Sequence, residues 1–196
     1  MAFWLPPQAN QRAIFISPSA VIKHFHFGYN ETLADGFWIR SLQDIDYCER
    51  QISAGQCSNM TWLFKMIDVI TELSPTFRMP HAMGGIALSV LVGDVQGAAV
   101  IFKKAVDRFP DDWTISYKAG YHALIEEKDE LKAASYFRTA AQNGAPPWVY
   151  SLSGGLFNKN QKKEIARQMV EEMKAANVSP GFIERLTKKI DSDENR

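Results

Sequence analysis

The chain is poor in the residues that carry most enzyme chemistry: it has two cysteines and four histidines, and they are scattered. Cys48 and Cys57 flank "ERQISAGQ", too few for a disulfide framework and without the second pair a zinc site needs. A bridge between them would close a helical hairpin in an oxidising compartment; in a reducing one they are two unlinked thiols. His24 and His26, in "HFH", place two imidazoles on one side of an extended segment, half of a metal site. No cysteine or carboxylate cluster lies near in sequence to complete it, so no metal is expected. His81 and His122 fall in separate helical patterns with no nucleophile motif beside them, the setting of packed helix histidines. Phosphate-cradling glycine loops are missing too, since "MGG" and "SGG" lack the spacing of G-x-x-x-x-G-K-[ST] or G-x-G-x-x-G. Neither G-x-S-x-G nor H-E-x-x-H occurs. The expectation is a non-enzyme without a cofactor.

No charge of one sign prevails. Lys plus Arg and Asp plus Glu both total 22, so nothing global draws the chain to nucleic acid or to an anionic membrane. "FKKAVDR" and "NKNQKKEIARQ" carry basic residues, but interspersed acids make them solvated helix faces. No apolar run is long enough to cross a bilayer, and "MAFWLPPQANQR" lacks the basic-then-apolar order of a signal peptide. With 196 residues, 46% of them apolar, the chain has ample length for a buried core in one domain. It reads as soluble as written.

What the chain does have is a repeat. Ala98, Phe102 and Ala105 recur as Ala133, Phe137 and Ala140, each 35 residues later. Gly85, Gly120 and Gly155 fall on the same step, as do Pro75 with Pro110 and Trp113 with Trp148. Within each unit the apolar residues step by three and four, which gathers them on one helix face. Asp94 stands where a side-chain oxygen caps a helix, and Pro110 ends that helix. "HAMGGIALSVLV" and "DDWTISYKAGYHALIEE" supply the first helices of two units. Antiparallel helices approach closely where side chains are small, the large aromatic fills the wedge beside the crossing, and proline redirects the chain. One hairpin cannot cover its own apolar face, so hairpins stack.

At Gly85, Ala98, Phe102, Ala105 and Pro110, and again at Gly120, Ala133, Phe137 and Ala140, the sequence resembles the tetratricopeptide repeat family. The resemblance covers roughly residues 76–147. The family's period is 34, so each unit here carries an extra residue, placed between the two helices by the 13-residue step from glycine to alanine. Trp113 and Trp148 sit earlier than the family's usual tryptophan. "AD…WIR", here Ala34, Asp35, Trp38, Ile39 and Arg40, is similar to a stretch in small bacterial proteins of this family. Many of those have an upstream apolar anchor that this chain lacks, which leaves the compartment open between cytoplasm and the periplasmic side of a membrane.

The expected fold is therefore all-α, an α-α superhelix of antiparallel helix pairs with a C-terminal capping helix. Residues 1–28 read as an extended packing segment, 29–75 as a divergent hairpin, 76–147 as two repeats, 148–190 as a degenerate repeat with the capping helix, and 191–196 as a frayed tail. Asp35, Trp38 and Arg40 are expected to form a structural ion-pair cluster that fixes the first helix.

A stacked array of this kind leaves a concave face lined by first helices, where a peptide or helix can lie. Candidates for that contact are Met83 and Ile86 in one unit and Tyr117, Lys118, Tyr121, His122 and Ile125 in the next. Tyrosine and histidine suit it because each joins an apolar body to a polar tip. Chaperone-binding members of the family grip a terminal carboxylate with a Lys, Asn and Arg set, but His122 stands where asparagine is usual, which argues against that activity. The expected function is a protein-binding adaptor or scaffold. The alternative is a self-assembly module of a bacterial envelope or motility complex, motivated by the apolar "MAFWLPP" and "AIFIS" segments. No nucleic acid is expected as a partner.

Overall fold

A computed structural model describes residues 18–24, 27–50 and 59–192, with the side chains of a few of them left aside; among them the fold is all-α, with no strand. The side chain of Cys48, Cys57, His26 and the "MAFWLPP" and "AIFIS" segments lie outside the described part. After a 3-10 turn at Ala20–Lys23 come α1 (Asn30–Arg50) and α2 (Trp62–Leu73). Then follow α3 (Arg78–Ile86), which runs into a π-helical turn at Ala87–Leu91, and α4 (Val95–Arg108). The chain ends with α5 (Trp113–Ile125), α6 (Glu130–Gln142), α7 (Trp148–Lys159), α8 (Lys163–Ala175) and α9 (Pro180–Ser192).

Local chemistry sets the helix starts. Asp94, Asp112 and Asp129 precede α4, α5 and α6, and their carboxylates accept from the backbone N–H groups of Gly97, Thr114 and Lys132, which no carbonyl of the helix can satisfy. Helix α3 begins earlier than its apolar pattern suggests, because Pro80 sits in its first turn, where a missing N–H costs nothing. Between first and second helices the chain turns through a positive φ, at Gly93 (67°), Lys128 (60°) and Gln161 (60°). Each helix packs mainly on its neighbours in sequence, and α9 lies against both α7 and α8. Connections of a few residues between helices in contact fold the chain back on itself as helical hairpins do.

The repeated residues meet at the crossings. A Cβ added to Gly85 would stand 2.8 Å from the Phe102 ring, and one added to Gly120 would stand 2.8 Å from Phe137. Ala98, Ala105, Ala133 and Ala140 are completely buried. Gly84 admits Ile67 of α2 on its other side, at 2.6 Å from an added Cβ. The third unit departs from this pattern. Gly155 keeps the 35-residue step, yet an added Cβ would approach Lys189 Nζ at 3.0 Å, and Gly154 admits Leu186 at 2.6 Å. The glycines of α7 thus make room for α9 rather than for an aromatic ring of α8.

The two regular units join their first and second helices in different ways. In the first unit α3 is prolonged by the π-helical turn, which takes up one residue within a helix. In the second, α5 stops at Ile125 and the four residues 126–129 make the connection, with Lys128 at a φ that non-glycine residues rarely adopt.

Two elements tie the N-terminal part to this frame. Lys23 pairs with Asp68 of α2 at 2.7 Å, and Asn30 donates to the Leu73 carbonyl at 3.1 Å. The cluster expected at Asp35, Trp38 and Arg40 does not form. Trp38 is buried and meets Phe77 edge-on at 6.4 Å, whereas Asp35 and Arg40 are both exposed and no ion pair joins them among the described residues. Helix geometry is the reason: positions five apart lie about 140° apart around an α-helix, on different faces.

Replacing Gly120 with alanine sets a helix-propensity gain of about 1 kcal/mol against an overpacking cost of roughly 1–3 kcal/mol. We expect a net loss in urea unfolding, recovered at least in part by adding Phe137→Leu. A Gly120→Ala variant as stable as the parent would show that the ring moves aside freely.

Candidate functional site

The first helices of the two regular units present an apolar strip. Met79, Met83, Ile86 and Val90 recur at helical spacing along α3 and its π-helical extension, with Val90 69% exposed. Beside them on α5 stands Tyr121, 55% exposed. Between the two strips lies a cavity of about 320 Å³. Ile86 and Val90 form one wall, and Tyr117, Lys118, Tyr121 and Glu126 the other. Phe102 and His122 make its floor, both almost fully buried.

Tyr117 is half-buried and packs against Phe137 at 5.5 Å and edge-on against Trp148 at 5.6 Å. It therefore joins two units while offering one edge to the cavity. Met83 and Ile125 are exposed on the same helices but do not line the cavity. Trp148, Met79 and Val90 extend the apolar surface and escape a reading of the signature residues alone. The helical spacing around Met83 is the signal that points to Met79 and Val90; nothing local in sequence places Trp148 beside Tyr117.

His122, expected among the partner-binding residues, belongs to the interior. It is 3% exposed, with Nε2 at 3.1 Å from the Val95 carbonyl and Nδ1 at 2.9 Å from Ser89 Oγ. A carbonyl only accepts, so Nε2 carries the proton and Nδ1 accepts from the Ser89 hydroxyl in the neutral ring. The imidazole also lies 5.3 Å from the Phe102 ring. It clips α5 to the π-helical turn and to the start of α4. Burial pushes its pKa below the usual histidine value, although Glu127 pulls the other way. His81 is similarly buried: Nδ1 donates to the Phe77 carbonyl at 2.9 Å, the ring meets Phe109 edge-on at 5.2 Å, and burial again lowers its pKa.

The charges around the cavity are unequal. Arg78 Nε donates to Asp112 at 2.5 Å and its Nη2 to Thr114 Oγ1 at 2.8 Å. Burial raises the Asp112 pKa, but the Arg78 and Thr114 donors outweigh it and bring it down to about 2. Lys118 has no such partner. Its Nζ lies 3.8 Å from the Met83 sulfur, and no carboxylate among the described residues pairs with it. Burial, followed by the nearby Arg78, lowers its pKa. The groove thus offers apolar contact, one uncompensated cation and the exposed carboxylate of Glu126.

Among the described residues no group of three His, Cys, Asp or Glu side chains is placed to hold a metal ion, and no helix is long and apolar enough to cross a membrane. Comparison with protein-family models, curated proteins and solved structures finds no match to the chain.

Both histidines have pKa values below the ordinary value of about 6.5, so the unfolded chain binds protons that the folded chain refuses. Their neutral packing is intact above that pH, and stability falls as the pH drops below it. Melting temperatures measured at pH 8, 6 and 5 should decline, and the decline should flatten in a His81→Phe, His122→Gln variant; an equal slope in both proteins would mean that other groups control it.

Proposed function

We propose that the chain is a non-enzymatic interaction module that docks a helix or peptide of a protein partner in the groove between its first helices. The carrying observation is the exposed apolar strip of Met83, Val90 and Tyr121 beside a formed cavity with two charged groups at its rim. Apolar surface of this kind, rimmed by polar groups, is the ordinary mark of a protein-binding groove. Tyrosine and methionine suit the task, one a stiff amphipathic anchor and the other an adaptable filler.

The reading places the chain near the tetratricopeptide repeat family, with the groove on the concave face of a short solenoid. Helix order, the Gly85–Phe102 and Gly120–Phe137 crossings and the buried alanines support that placement. As an adaptor or scaffold it would act through surface complementarity, without chemical turnover.

Val90→Glu and Tyr121→Glu place charge on exposed positions and should leave the fold intact. Affinity capture from the native host, compared quantitatively with the parent chain, should lose specific partners by about tenfold or more, the scale of removing one anchor contact. Identical capture profiles with these variants would sink the reading.

A further inference from the structure

The outer face of α1 is another exposed apolar surface among the described residues. Ile39 and Leu42 are 57% and 51% exposed, and Asp35 lies one turn before Ile39 on the same row. Asp35 has no hydrogen-bond or ion-pair partner among the described residues. Phe27 and Tyr29, at the start of the helix, are exposed as well. Gly36 sits between these residues in mid-helix, where glycine weakens a helix, yet an added Cβ would meet nothing within 4 Å. No contact among the described residues requires this glycine, whereas a helix packing closely from outside would.

These features complement the groove. The groove needs an apolar side chain for the cavity and a carboxylate for Lys118; α1 presents Ile39 and Leu42 with Asp35 one turn away. The stretches outside the described residues do not supply both. Residues 1–17 contain apolar side chains but neither Asp nor Glu, the same holds for 51–58, and 193–196 contain Asp193 and Glu194 without an apolar side chain. Within one copy α1 is held against α2, so its outer face can reach a groove only in another copy.

We infer that the groove of one copy receives the outer face of α1 of a second copy, with Asp35 against Lys118 and with Ile39 and Leu42 over the cavity. This identifies a partner for the docking groove and so rests on the reading of that groove as a docking site. The contact is heterologous: each copy carries one groove and one α1 face, so association runs head to tail into a ring or an open chain. Glu126, about 12 Å from Lys118 along α5 by helix rise, repels a carboxylate at that end and so favours one direction of α1 in the groove.

Sedimentation velocity on the intact chain tests this without an unidentified ligand. The parent should self-associate between micromolar and millimolar concentrations. Val90→Glu, which spoils the groove, and Ile39→Glu, which spoils the α1 face, should each be monomeric, with unchanged helical circular dichroism and melting temperature. Mixed together, they should form a dimer and nothing larger, because one sound groove and one sound α1 face remain. Lys118→Glu and Asp35→Lys should each weaken association by about tenfold, the scale of one charge-assisted hydrogen bond, and the mixture of these two variants should recover it. A parent that stays monomeric throughout, or a Val90→Glu and Ile39→Glu mixture that yields no dimer, overturns the inference. In that event the docking reading survives if Val90→Glu still loses partners from the host, and both fail if it does not.

Discussion

Two ring-on-glycine contacts set the geometry of this protein. At Gly85 and at Gly120 the space that any side chain would occupy is taken by the face of Phe102 or Phe137. The missing Cβ lets two helices approach, and the ring then fills the wedge that opens beside the crossing, so close packing is kept without a cavity. Everything on the face of the first helices follows. Phe102 is the floor of the cavity, His122 lies against that ring, and Tyr117 packs on Phe137. The groove exists because the core beneath it is full.

Polar contacts then hold one unit to the next. Arg78 with Asp112, Lys104 with Asp68, and Arg138 with Glu172 join residues 34 to 36 positions apart, one repeat step in each case. Partly exposed pairs of this kind contribute little stability singly. Their spacing gives them another effect, since each fits one register between neighbouring units and slippage would separate its charges. Lys118 stands out against this pattern: no carboxylate among the described residues pairs with it, and the nearby Asp112 is already held by Arg78. A half-buried cation without a partner is costly within one fold and becomes favourable when a carboxylate arrives from outside.

The helices and their order were legible because the signals are local. Three-and-four spacing, the aspartate cap at Asp94 and proline after the second helix each act within a few residues, and Asp112 and Asp129 repeat that cap in the structure. The candidate site was legible in part. Ile86, Tyr117, Lys118 and Tyr121 line the cavity as their helical face implied, whereas His122, about 100° further around the helix, reaches it only as part of the buried floor and spends both ring nitrogens on the interior. The expected Asp35–Arg40 pairing failed by the same rotation. The π-helical turn left no mark in the spacing, because an extra residue in a helix and one in a loop look alike when residues are counted along the chain.

Sequence by itself determined the all-α class, the repeat step and the glycine–phenylalanine pairs, since these depend on residue size and on periods of one helix turn. Tertiary structure decided which residues of the first helices face the groove, that Gly154 and Gly155 make room for α9, and that Trp148 stands over Tyr117. Those outcomes depend on the rotation of each helix about its axis. That rotation is a property of packing between units, and no stretch of sequence shorter than two repeats contains it.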